Sequence, residues 1–125
     1  MQSRDFVYID DVVNATLLVL EKSNLKSQVY NVGSGKPITV LKVAQKLKEL
    51  YNLTASITIS NKYRRGDIRH NFADLSKINQ ELGFVNEFSF DNGLLNFVEW
   101  VKKQDVQDDK YDSSIQEMIQ KGIMK

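Results

Sequence analysis

The sequence predicts an α/β fold. Short stretches rich in β-branched and aromatic residues alternate with amphipathic helical stretches, capping residues or glycines mark the changeovers, and no internal repeat or low-complexity segment interrupts the pattern. Residues 4–9 read as a strand that stops at Asp10 and Asp11, two acids suited to capping a helix. Val12, Val13, Ala15, Leu17, Leu18, Val19 and Leu20 then leave few polar faces, which predicts a largely buried helix. A second strand is expected at 28–32. Gly33, Ser34, Gly35, Lys36 and Pro37 break it, and Thr39 can cap a helix whose apolar face carries Val40, Val43, Ala44, Leu47, Leu50 and Tyr51. Lys42, Lys46 and Glu49 are left to water on that helix. Residues 57–59 read as a short strand, 60–66 as a polar loop and 69–73 as a further strand. Asp74 then caps a helix with Leu75, Ile78 and Leu82, closed by Gly83. Another helix follows Asp91 with Leu94, Phe97, Val98 and Val101 on one side. Residues 105–112 form an acidic, polar connector, and a last amphipathic helix gathers Ile115, Met118 and Ile119 and ends near Gly122.

Composition narrows the function classes. A chain of 125 residues is one domain by size and buries about two-thirds of its unfolded surface if it folds. Seventeen basic residues against sixteen acidic ones argue against a dedicated nucleic-acid binder or a polybasic membrane anchor. No apolar run approaches the ~18 residues of a membrane span. The absence of cysteine removes disulfides and thiolate metal sites and suits a reducing compartment, so a cytoplasmic location is expected.

Four features could carry chemistry. Gly33-Ser34-Gly35 invites comparison with phosphate-binding loops, but the dinucleotide fingerprint needs glycine at 38, where Ile38 stands, and the phosphate-loop pattern needs glycine at 30, where Tyr30 stands. It reads better as a turn. The segment 62–70 concentrates Lys62, Arg64, Arg65 and Arg69 around Asp67, forked donors for phosphate beside an acceptor for ribose hydroxyls, although a solvated loop has the same composition. His70, the one histidine, lacks neighbours at metal-ligand spacing. Phe88, Phe90, Phe97 and Trp100 sit among helical apolar residues and are expected in the core rather than on a base-stacking platform.

The order of segments adds a resemblance. Ser-Arg-Asp-Phe-Val-Tyr-Ile-Asp-Asp-Val at 3–12, Val-Tyr-Asn-Val-Gly-Ser-Gly at 29–35, Arg-Arg-Gly-Asp-Ile-Arg-His at 64–70 and Ala-Asp-Leu-Ser-Lys at 73–77 resemble the carboxy-terminal third of the extended short-chain dehydrogenases that act on nucleoside-diphosphate sugars. The likeness runs over about 3–103, and the final helix with residues 119–125 is similar to the tail of the deoxythymidine-diphosphate-rhamnose 4-epimerase branch. It implies a carboxy-terminal, substrate-binding α/β portion without the amino-terminal Rossmann core. Residues 1–103 would be the nucleotide-sugar-binding domain and 104–125 a connector and terminal helix. It also implies that Arg4 and Arg64 hold the diphosphate and that Asp67 contacts the ribose. The family often has proline at the position of Arg65 and histidine at that of Tyr8; without the proline ring the loop loses a fixed φ, and the choice between Arg64 and Arg65 at the phosphate stays open.

Family catalysis uses NAD as a transient hydride acceptor and a Tyr-x-x-x-Lys pair as base. Four residues after Tyr8, Tyr30, Tyr51, Tyr63 and Tyr111 stand Val12, Ser34, Ala55, Asp67 and Ile115, so no such pair exists here. The expectation is therefore part of an NAD-dependent nucleotide-sugar epimerase, of the kind used in polysaccharide biosynthesis, that is catalytically incomplete alone. Part of a 4,6-dehydratase, or a module for binding or assembly with a separate Rossmann chain, is the alternative. By this reading the chain alone binds no NAD and no metal and holds a nucleoside-diphosphate sugar weakly. It self-associates through the strand at 28–32 and neighbouring helix surfaces, or rearranges that segment, or pairs with a separate Rossmann half, and it meets neither nucleic acid nor membrane.

Overall fold

The computed structural model describes residues 1–22 and 27–124. Strand β1 (Ser3–Asp5) pairs antiparallel with β2 (Pro37–Thr39), with Arg4 opposite Ile38, in a two-stranded sheet. The break expected across 33–37 is therefore shorter than the sequence suggests, and Pro37 opens β2 as its first residue, where a missing N–H is tolerated. β1 also stops earlier than the β-rich stretch 4–9. Helix α1 (Ile9–Glu21) begins at an extended Tyr8 whose carbonyl accepts the N–H of Asp11 at 3.1 Å. Asp10 and Asp11 thus lie in the first turn, favourable beside the positive helix end, rather than at the cap.

Thr39 caps α2 (Val40–Leu50) as expected, its hydroxyl accepting the Lys42 N–H at 3.1 Å. Asp74 accepts the Ser76 N–H at 2.9 Å at the start of α3 (Ser76–Leu82), and Gly83 closes that helix in the left-handed conformation. Ser89 rather than Asp91 caps α4 (Phe90–Val101), with Asp91 in the first turn. After a coil comes α5 (Tyr111–Gln120), with Gly122 just beyond it at φ +65°.

Three expected strands are not strands. Residues 57–59 stand in coil, and 69–73 make only one parallel bridge, His70 to Ser3. Residues 28–32 are tethered by side chains instead of a ladder: the Lys77 ammonium donates to the Val29 carbonyl at 3.0 Å and the Tyr30 hydroxyl to Glu81 at 2.7 Å. A β-competent stretch becomes a strand only when a neighbour offers its backbone, and the two short strands described here pair with each other.

The core joins α1 to α3. Ala15, Ile78, Leu82 and Phe84 are buried, with Leu18, Tyr30, Val32 and Leu75 packed against them. Burial of each large side chain contributes about 2 kcal/mol. The rest of α1 departs from the fully buried helix its composition suggests: Leu17 is 51% and Leu20 67% exposed, because α3 and Phe84 cover one face only.

Candidate functional site

β1 turns two adjacent charges to different uses. The Asp5 carboxylate reaches into the 33–35 turn and accepts the Ser34 N–H at 2.7 Å, the Ser34 hydroxyl at 2.6 Å, the Gly35 N–H at 2.9 Å and the Ala73 N–H at 3.0 Å. Burial by itself would raise the Asp5 pKa, but the bonds from Ser34, Ala73 and Gly35 together outweigh it and hold the carboxyl below its ordinary value. Gly33 is required by this approach, since a β-carbon there would stand 2.5 Å from Asp5 Oδ2 and 2.7 Å from Ala73 Cβ. The glycine-rich turn is an anion receptor whose anion is the protein's own. With the Ser34 and Gly35 amides committed, it does not fit the pyrophosphate of NAD.

Arg4 points elsewhere. Its guanidinium donates to the carbonyls of Ser3 at 2.9 Å and Arg69 at 3.2 Å, and its other terminal nitrogen lies 4.0 Å from an Asp67 carboxylate oxygen. Asp67 belongs to a tight turn that its own N–H closes on the Arg64 carbonyl at 3.2 Å. Gly66 occupies the third position of that turn at φ +87°, the conformation of a type II turn. Of the three residues the sequence proposes as a site, Arg4 pairs with Asp67, and Arg64 is the first residue of the turn carrying Asp67. Arg64, Arg65 and Asp67 are exposed; Arg4 Nη1 is held by the Ser3 and Arg69 carbonyls, while the 4.0 Å ion pair leaves Arg4 Nη2 and the Asp67 carboxylate without a hydrogen bond among the described residues.

The remaining candidates resolve differently. His70 shares a 2.8 Å hydrogen bond with the Ser3 hydroxyl, and among the described residues no group of three His, Cys, Asp or Glu side chains could hold a metal. Phe97 and Trp100, expected in the core, are 48% and 57% exposed. With Tyr8, Phe90, Leu94 and Val43 they line an apolar groove of about 590 Å³ between the 6–9 segment, α2 and α4. Their helical spacing marks a shared face, and it does not say whether anything covers that face.

Sequence reasoning missed the roles of two acids. Asp5 could have been found by asking what anion a glycine-rich turn without a ligand would hold. Asp11 is 1% exposed and clamps the 86–88 segment onto the start of α1, accepting the N–H groups of Glu87 at 2.9 Å and Phe88 at 3.3 Å. Nothing local announces that role, because its partners lie more than seventy residues away.

The chain is similar to known proteins over most of its length. A profile of the family described as GDP-mannose 4,6 dehydratase matches residues 1–97. UDP-glucuronate 4-epimerase of Thermodesulfobacterium geofontis is 33% identical over 103 residues, covering 82% of this chain and 31% of that protein. The dTDP-L-rhamnose 4-epimerase of Burkholderia thailandensis is 28% identical over 102 residues, which cover 82% of this chain and 28% of that protein. UDP-glucose 4-epimerase of Thermotoga maritima, solved with UDP-glucose, superposes with a TM-score of 0.73 at 35% identity, over 82% of this chain and 32% of that one. The chain therefore spans about a third of the length of the relatives it matches.

Proposed function

This chain belongs to the GDP-mannose 4,6 dehydratase family, as the carboxy-terminal α/β portion of an extended short-chain dehydrogenase fold, and we propose that it supplies the nucleoside-diphosphate side of the substrate site of an NAD-dependent nucleotide-sugar epimerase. The observation that carries this reading is the Arg4–Asp67 pair beside the exposed Arg64–Asp67 turn. Arg4 and Arg64 would grip the diphosphate through forked, charge-assisted bonds, while the Asp67 carboxylate accepts bonds from ribose hydroxyls. Neither a hydride carrier nor a Tyr-x-x-x-Lys base is among these residues, so the chain binds and orients without turning substrate over. NAD and the general base belong to the remainder of a full-length family member.

Titration calorimetry with UDP tests the reading. Weak binding is expected, and Arg64→Ala should weaken it about tenfold, the worth of one charge-assisted bond to phosphate. Equal affinity in the two chains would overturn the assignment. NAD-dependent turnover of a nucleotide sugar by the chain alone would overturn its catalytic incompleteness.

A second reading, as a module that assembles with a separate Rossmann chain or with its own copy, is favoured by the open face of α1. Leu17 and Leu20 stand exposed on α1, and the 28–32 segment, where Val29 is 83% exposed, makes no strand ladder among the described residues. Light scattering across a concentration series is expected to show association, and a strictly monomeric chain would count against it.

A further inference from the structure

We propose that the carboxy-terminal tail is the brace of the diphosphate-binding turn, a positioning role for Ile123 and Met124 that rests on the reading of Arg64 as a phosphate ligand. After α5 the chain reverses at Gly122, and the N–H groups of Ile123 and Met124 both turn back to the Met118 carbonyl, at 2.9 and 3.3 Å. This leaves the Ile123 carbonyl pointing away from the helix. It accepts the Arg65 N–H at 2.7 Å, and Met124 forms an antiparallel bridge with Arg64. The tail therefore engages the backbone of the two arginines at the start of the turn that carries Asp67.

The bond depends on the identity of residue 65. In a turn with Gly66 at φ +87° in third position, the second position favours proline, whose ring fixes φ but which has no N–H to give. Here the second position is Arg65, with a free φ and an N–H, and that N–H is the group the tail holds. A long-range hydrogen bond thus restrains the turn in place of a ring. The tail's half of the device lies outside the 1–97 region matched by the family profile, since α5 begins at 111. Without it, the exposed arginines would sit on a turn closed only by its own 3.2 Å bond, and Arg64 would be poorly placed against a ligand.

The experiment compares the full chain with a truncation after Lys121, each with Arg65 and with Arg65→Pro, by amide exchange and by UDP titration. In the Arg65 background, truncation should speed exchange at the Arg65 and Asp67 amides about fivefold or more and weaken UDP binding by a similar factor. In the Arg65→Pro background it should change UDP affinity little, because the linking N–H is already gone; the cycle cancels the lost Arg65 side chain. Ile123→Ala, which keeps the carbonyl, should behave as the full chain. Exchange at Arg65 and Asp67 that ignores truncation overturns the brace, and equal loss of UDP affinity in both backgrounds overturns the link through Arg65. If no chain binds UDP, the nucleotide reading fails, while the exchange comparison still decides whether the tail holds the turn.

Discussion

Arg4 and Asp5 are neighbours on one three-residue strand and belong to opposite kinds of region. Around Asp5, the donors are committed: four bonds of 3.0 Å or less tie β1 to the 33–35 turn and to Ala73. Around Arg4, Asp67 and Arg64 fewer bonds are made: Arg4 Nη1 donates to the Ser3 and Arg69 carbonyls, and the only ion pair of Arg4 among the described residues is at 4.0 Å. The Asp5 region is where a motif search would seek a ligand, and it is structural. The Arg4 region has the composition of an ordinary solvated loop, yet the Arg64 and Asp67 side chains and one terminal nitrogen of Arg4 make no hydrogen bond among the described residues, and binding requires groups whose bonds are not already made.

The largest expected effect lies on the structural side. Asp11→Ala should destabilise the chain by about 3 kcal/mol in chemical denaturation, because it strands the Glu87 and Phe88 amides beneath the start of α1. A loss below about 1 kcal/mol would show that water replaces the clamp. Next comes Asp5→Asn, which retains shape but gives up the charge that four donors address, at a cost of about 2 kcal/mol, partial exposure keeping it below the sum of the bonds. The sign of its pH dependence follows from the lowered carboxyl: stability from Asp5 is present at neutral pH and disappears as pH falls through the folded-state value, below the ordinary carboxylate pKa of about 4. The parent chain should therefore lose stability more steeply than Asp5→Asn on acidification in that range, and parallel acid profiles would contradict the junction's role. Smallest in stability is Arg4→Gln, expected to cost about 1 kcal/mol at most, because its ion pair is long and its bonds to the Ser3 and Arg69 carbonyls are open enough to water to be replaced cheaply. UDP affinity should fall in this variant although the fold does not, and a stability loss as large as that of Asp5→Asn would erase the contrast between the two neighbours.

The open apolar surfaces make a further contrast with the core. Phe97 and Trp100 lie on the same helix as Val98, yet Val98 is 0% exposed and the two aromatics line a groove. Periodicity reports which residues share a face. Burial is decided by what packs there, and the 6–9 segment, α2 and α4 leave this side open.

Signals that act within a few residues were legible in the chain alone: Thr39 on α2, Asp74 before α3, Gly83 after it and the helical character of α4 and α5, because caps and amphipathic periods are satisfied inside one turn or one helix. Motif order was equally legible, and it set Arg4, Arg64 and Asp67 in one family pattern. Strand identity was not. Residues 28–32, 57–59 and 69–73 have β-type composition, but a ladder needs a partner in space, and the partners of β1 are Pro37–Thr39 and, for Ser3 alone, His70. The destinations of Asp5, Asp11 and the Arg65 N–H were hidden for the same reason: each is met by groups 29 to 77 residues away in sequence, and only folding brings an unpaired donor and an acceptor across that separation to within a hydrogen bond.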